Sequence, residues 1–146
     1  MVITRIIDSE PALVLESDKK NLIITDLHIG FEHKFSSNKI AVGKNSSVND
    51  IISNITRIIE KENPDTLILL GDIKSSIQNI TKSEWEDVPY FFEEISKSLE
   101  VVLIPGNHDA NIDRLIPNDV TLISSKGMII NDVLLTHGHT MPSENY

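Results

Sequence analysis

Four short clusters in this chain carry side chains that can hold a cation or move a proton: Asp26-Leu27-His28, Gly71-Asp72, Gly106-Asn107-His108-Asp109 and His137-Gly138-His139. Carboxylate oxygens, imidazole nitrogens and an amide oxygen together suit hard or borderline divalent cations. The chain has no cysteine, which excludes disulfides and thiolate-held zinc or iron–sulfur sites. Any metal must be held by His, Asp, Glu, Asn or water.

Each cluster also has an ordinary reading. Asp26 and His28 lie two apart, so on an extended segment their side chains point the same way and can chelate one ion; alternatively Asp26 caps a turn and His28 is an incidental loop residue. Gly71-Asp72 alone is a common turn pair. Gly106-Asn107-His108-Asp109 is more telling, because a glycine that permits a tight turn is followed by three polar side chains that are costly to place there unless used. His137-Gly138-His139 reads as a metal ligand or as surface histidines. Lys74 can approach a phosphate as a point charge or be a surface lysine, and His33 in Phe31-Glu32-His33-Lys34 reads as solvated.

The elements that must position these residues alternate between strand and helix. Residues 12–16 and 21–25 flank the polar turn Ser17-Asp18-Lys19-Lys20 and read as a hairpin opening the domain. Residues 36–47 are polar and small and read as a loop. A helix begins at Ser47, with Asp50 as its start signal and Val48, Ile51, Ile52, Ile55, Ile58 and Ile59 on one buried face. Asn63-Pro64-Asp65 ends it.

Thr66 to Leu70 is an apolar run, as in a strand buried on both faces. A second helix runs from about Ser83, where Glu86 completes a capping box, through Val88, Phe91, Phe92, Ile95 and Leu99, and Pro89 is tolerable only near its first turn. The isoleucine stripe and the group Trp85, Phe91 and Phe92 read as core. Residues 101–104 form another buried strand, followed by short strands around 120–123, 128–130 and 133–136. Every cluster therefore lies just past the carboxyl end of a strand. In open α/β sheets ligands bind there, so clusters spread over ~110 residues of chain would converge on one site.

The 146 residues, 40% of them hydrophobic, suffice for one domain with a real core and not for two of ordinary size. No apolar stretch approaches the ~20 residues of a membrane span and no signal-peptide pattern opens the chain, so a cytoplasmic protein is the expectation. A formal charge of −9 argues against a broad basic surface for gripping nucleic acid. Carboxylates gathered around cations would not present that charge to a ligand, so a small or single-stranded phosphate substrate stays ahead of long duplex DNA. A nucleic-acid-binding module is disfavoured further because aromatic residues are not interleaved with Lys or Arg.

In this order, Asp-x-His, Gly-Asp, Gly-Asn-His-Asp and His-Gly-His resemble the calcineurin-like metallophosphoesterase superfamily. The wording around them, residues 24–30, 70–74 and His137-Gly138-His139 followed by Pro142, is most similar to small prokaryotic phosphoesterases related to the SbcD nuclease subunit. The resemblance runs from about Ala12 to Pro142. It implies an α/β fold: a β-sandwich flanked by helices in four layers, α/β/β/α, with residues 1–146 as the N-terminal part of a single metallophosphoesterase domain.

The resemblance also implies roles. Asp26 and His28 would bind one metal, Asp72 would bridge two, and Asn107 and His137 would bind the second. His108 would act beside the substrate as general acid or stabiliser of the phosphoryl group, and Asp109 would hold its ring by a hydrogen bond. His139 has no secure role beyond, with Lys74, a place near the substrate. Two divalent ions roughly 3.5–4 Å apart would lower the pKa of a bridging water and clamp phosphate oxygens during in-line displacement. Manganese leads, with iron, nickel and zinc also suited.

The activity implied is hydrolysis of a phosphate ester, a phosphodiester in particular, with a nucleotide or nucleic acid as candidate substrate. The chain departs from the family pattern at its end: a closing Gly-His-x-His cluster, whose histidines complete both metals, does not occur before Tyr146. The expectation is a fragment of a longer enzyme, a site completed by a second chain or a homodimer, or a non-catalytic partner domain that keeps the fold. Strands of the second sheet would be missing too, leaving apolar edge exposed.

Overall fold

A computed structural model describes residues 1–31 and 46–141. His33, Pro142 and most of the polar stretch 36–47 lie outside them. Six strands form the main sheet: β1 (Ile3–Ile6), β2 (Leu13–Glu16), β3 (Lys20–Ile24), β4 (Thr66–Leu70), β5 (Glu100–Ile104) and β6 (Thr121–Leu122), in that spatial order. β1, β2 and β3 pair antiparallel, whereas β3 through β6 pair parallel. Two helices, α1 (Ser46–Glu62) and α2 (Lys82–Ile95), provide the crossovers between β3, β4 and β5. A separate antiparallel pair, β7 (Met128–Ile130) and β8 (Val133–Leu135), follows.

The two faces of the main sheet carry different cores, as the period-2 geometry of a strand demands. Leu22, Ile24, Leu67, Leu69, Val101 and Leu103 point toward the helices, where they meet Val48, Ile55 and Ile58 of α1 and Val88, Phe91, Phe92 and Ile95 of α2. The alternate positions Ile23, Ile68, Val102 and Ile104 join Leu15 and Leu135 in a second cluster, against which Met128, Ile130 and Val133 of the small sheet pack. Burial on both faces explains why these strands read as continuous apolar runs. Helices, a large sheet and a second sheet thus form successive layers.

Five details differ from the sequence reading. The opening hairpin is there as β2 and β3, but β1 precedes it as an edge strand with Ile3 and Ile6 exposed; an exposed strand carries no burial signal in its sequence. α1 starts at Ser46. The cap of α2 is Thr81 with Glu84, two residues before the Ser83 and Glu86 pair, since both pairs satisfy the same spacing. Trp85 is not core: it is 49% exposed, at the edge of the face that Glu84, Asp87, Val88, Phe91, Phe92 and Ile95 bury. Pro89 consequently lies inside α2, and the carbonyl of Trp85 that loses its donor belongs to an exposed residue.

Candidate metal centre

The carboxyl ends of β3, β4 and β5 open into loops that are tied together by backbone hydrogen bonds. Asp26 N donates to Gly71 O (3.1 Å), His28 N to Asp72 O (3.0 Å) and Ile29 N to Ile73 O (2.7 Å), so the parallel pairing resumes past the strand ends. Asp26, His28 and Asp72 all sit at positive φ, 59°, 47° and 54°. That left-handed conformation costs energy for any residue with a Cβ, although Asp and His tolerate it better than most. Asp26 and His28 therefore meet not along an extended segment but through a strained turn.

Glycines let the third loop close on the second. At Gly106 a Cβ would collide with Asp72 Oδ1 and lie 2.5 Å from Asp72 N; at Gly71, with φ of +83°, a Cβ would lie 2.5 Å from His137 Nδ1. Neither position has room for another residue. The close approach lets His108 N donate to Asp72 Oδ1 at 3.0 Å. It leaves the other carboxylate oxygen of Asp72 facing two imidazoles: Oδ2 is 3.4 Å from His137 Nε2 and 3.9 Å from His28 Nε2. His28 Nε2 is also 3.7 Å from Asp26 Oδ1.

The tautomers follow from the partners on the far side of each ring. His137 Nδ1 lies 2.9 Å from the Leu70 carbonyl, and His108 Nδ1 lies 2.7 Å from the Ser75 carbonyl. A carbonyl only accepts, so both Nδ1 atoms carry the proton and a neutral ring has its lone pair on Nε2. For His137 that lone pair points at the lone pairs of Asp72 Oδ2. Two acceptors held face to face across 3.4 Å are stable when a cation or a proton lies between them, and a carbonyl behind a ligating histidine is the usual second support. The Leu70 carbonyl serves twice, since Thr25 Oγ1 also donates to it at 2.6 Å.

Two triples of donor atoms lie within 4.8 Å of one another: His28, Asp72 and His108, and Asp26, Asp72 and His137. Asp72 belongs to both and is 5% exposed. The donor set therefore fits divalent cations. The triples pair Asp26 with His137 and His28 with His108, a different division from the one the resemblance implies. The rings of His28 and His108 are 4.9 Å apart, edge to face, and those of His137 and His139 are 5.5 Å apart. Asn107 is exposed beside His108, and its side chain makes no hydrogen bond among the described residues.

Two expected roles are corrected. Asp109 does not hold the His108 ring: Oδ1 accepts from Ile73 N and Lys74 N at 2.8 and 3.2 Å, and Oδ2 accepts from Gly106 N at 2.7 Å. It is a buried clamp between the second and third loops. Burial pushes its carboxyl above the usual range, and the three backbone donors pull the other way. Lys74 is neither a surface residue nor presented to a phosphate. It is fully buried, its ammonium donates to the carbonyls of Ser76 and Asn79, and burial lowers its pKa.

The sequence reading missed the carbonyls of Leu70 and Ser75, which have no side-chain signature, and also Glu84. The fully buried Glu84 accepts from Ser75 N (3.1 Å), Ser76 N (2.7 Å) and Thr81 N (2.9 Å). Its signal was legible as the Thr81-x-x-Glu84 pattern.

Among the described residues no helix is long and apolar enough to cross a membrane. The fold is similar to that in the crystal structure of Pseudomonas putida nuclease MPE, with a TM-score of 0.56 at 18% identity. The matched region covers 89% of this chain and 64% of that one, so the chain spans less than two thirds of that nuclease's length. With strand-end loops that converge on Asp72, and with the calcineurin-like phosphoesterase pattern matched over residues 20–145, the chain belongs to the calcineurin-like phosphoesterase family.

Proposed function

We propose that this chain carries the catalytic metal centre of a phosphoesterase that hydrolyses phosphodiesters. The observation that carries the reading is Asp72, a buried carboxylate shared by two donor triples and faced by histidines. The family resemblance would give Asp26 and His28 to one divalent ion and Asn107 and His137 to the other, whereas the donor triples group Asp26 with His137 and His28 with His108; on either division Asp72 would be shared by both. When bound, the two ions supply Lewis acidity toward a phosphate and acidify water. Manganese is the first choice among manganese, iron, nickel and zinc.

The chain's own residues account for the rest. Asp26 and Asp72 would repel a phosphate anion unless their charge is neutralised, so substrate binding depends on a filled site. His108 is fixed through Nδ1, so as general acid it would act in the imidazolium form, giving the Nε2 proton to the leaving oxygen and reverting to the Nδ1–H tautomer. General acid catalysis of this kind contributes ~10²–10⁴-fold. The protein with the similar structure is named a nuclease, so nucleotides and nucleic acids are among the substrates to try. His139, exposed at the end of the His137 loop, would meet a substrate rather than a metal.

The test is hydrolysis of a chromogenic phosphodiester with added manganese by the wild-type chain, Asp72→Asn and His108→Ala, alongside metal content. About two ions per chain and a rate lost in both variants support the enzyme. Equal rates in all three overturn it, and no ions after metal loading favours a partner domain that keeps the fold without catalysis.

A further inference from the structure

The His108 ring is held by a carbonyl whose own peptide is held by a carboxylate. His108 Nδ1–H donates to Ser75 O at 2.7 Å, and the N–H of the same peptide group, that of Ser76, donates to Glu84 Oε1 at 2.7 Å. A trans peptide is planar, with its C=O and N–H pointing in opposite directions, and no peptide among the described residues is cis. Imidazole, peptide and carboxylate therefore lie in series.

We propose that Glu84 is a positioning residue for His108, acting through the Ser75–Ser76 peptide as the orienting carboxylate that Asp109 is not. Three observations carry it. First, the capping box of α2 needs only Oε2, which accepts from Thr81 N while Thr81 Oγ1 accepts from Glu84 N. The two bonds of Oε1, to Ser76 N and to the Ser75 N–H that it shares with Ile29 O, are surplus to capping.

Second, Glu84 is fully buried. A hydrogen bond to a carboxylate in such surroundings is stronger than one between neutral groups, and it polarises the peptide so that the Ser75 oxygen becomes a better acceptor. Third, the neighbouring cation cannot take over the task. The Lys74 ammonium is bound to the carbonyls of Ser76 and Asn79, which braces the far side of the same loop. With Asp109 committed to three backbone donors, no other carboxylate among the described residues reaches the Ser75–Ser76 peptide.

The catalytic half of this proposal rests on His108 as the acid of a phosphoesterase; the structural half does not, and the experiment separates them. In the full chain, labelled with nitrogen-15 and without added metal, the His108 ring proton is followed by NMR in wild type, Glu84→Gln and Glu84→Ala. The wild type is expected to show the Nδ1–H tautomer with a hydrogen-bonded proton. Glu84→Gln keeps an acceptor without the charge, so the tautomer stays and the resonance moves upfield. Glu84→Ala loses the ordered proton.

A folded Glu84→Ala variant with the wild-type His108 resonance overturns the proposal. If that variant does not fold, an unmoved resonance in Glu84→Gln does so. In hydrolysis assays kcat is expected to fall about 10–100-fold in the folded variant, as for other supports behind an active group, with KM little changed. A lower melting temperature with kcat per folded molecule unchanged would mark Glu84 as a helix cap and nothing more. A wild-type chain that hydrolyses no phosphodiester fails the phosphoesterase reading instead, and the ring proton still decides the relay.

Discussion

Two buried carboxylates in this molecule live in opposite surroundings. Glu62, at the end of α1, is 8% exposed and meets two cations: Arg5 NH2 donates to Oε2 at 2.6 Å, and Lys20 Nζ lies 3.4 Å from the same oxygen. Asp72, 5% exposed, has no Lys or Arg partner among the described residues; it faces His28 and His137 and shares its surroundings with Asp26. Burying an anion is costly unless a cation compensates. At Glu62 the chain supplies the cations itself. At Asp72 it supplies imidazoles and the His108 N–H but no Lys or Arg, an arrangement that suits compensation by ions from solution.

The largest expected effect breaks this contrast at Asp72. Manganese should raise the melting temperature of the wild type, because a ligand at about 100 times its Kd adds roughly 2.7 kcal/mol, or about 5–10 °C for a domain of this size. Asp72→Asn should lose that rise. Without metal the same variant should melt no lower than wild type, since it removes a buried charge that repels Asp26. A metal-free Asp72→Asn that melts well below wild type would mean that the carboxylate is already compensated and the contrast is false.

Next comes the glycine that lets the loops close. Gly106→Ala places a Cβ against the Asp72 amide and carboxylate, so the loop must retreat and the His108 N to Asp72 Oδ1 bond is lost. Overpacking of this kind costs about 1–3 kcal/mol, read as a lower urea midpoint. Manganese affinity, measured by calorimetry, should fall about 10–100-fold as its support shifts. Unchanged affinity would show that the third loop does not shape the metal centre.

How far this contrast could be read in advance differs between its two sides. Asp26, His28, Asp72, His108 and His137 were legible because each follows an apolar run, and strand ends in a parallel sheet converge by topology. The Glu62 triad was not, because Arg5 sits on an edge strand with no burial pattern and 57 residues from its partner. Asp109 misled for a related reason. The resemblance implied contact with the His108 ring, but the turn after Gly106 sends the two side chains to different loops. The Thr81-x-x-Glu84 cap was legible but passed over, because Ser83-x-x-Glu86 two residues further along satisfies the same spacing.

A smaller effect sharpens the other side of the comparison. Hydrogen bonding from Arg5, aided by its charge and by Lys20 and opposed by partial burial, holds the Glu62 carboxyl below the ordinary glutamate value near 4.5. An acid with a depressed folded pKa binds fewer protons folded than unfolded, so stability rises with pH across that window. The contribution is complete above the unfolded value and is lost as pH falls through the folded one. The urea midpoint of the wild type should therefore drop as the solution is acidified below about pH 4.5, and Glu62→Gln should start lower and drop less.

The two curves should converge in acid, and added salt should narrow their separation at neutral pH, because Arg5 is half exposed and its attraction is screened. Manganese should raise the melting temperature of Glu62→Gln as much as that of the wild type, since this triad lies outside both donor triples. A separation that persists undiminished in acid would assign the stabilisation by Glu62 to packing rather than to charge, and the self-compensated carboxylate would cease to be the counterpart of Asp72.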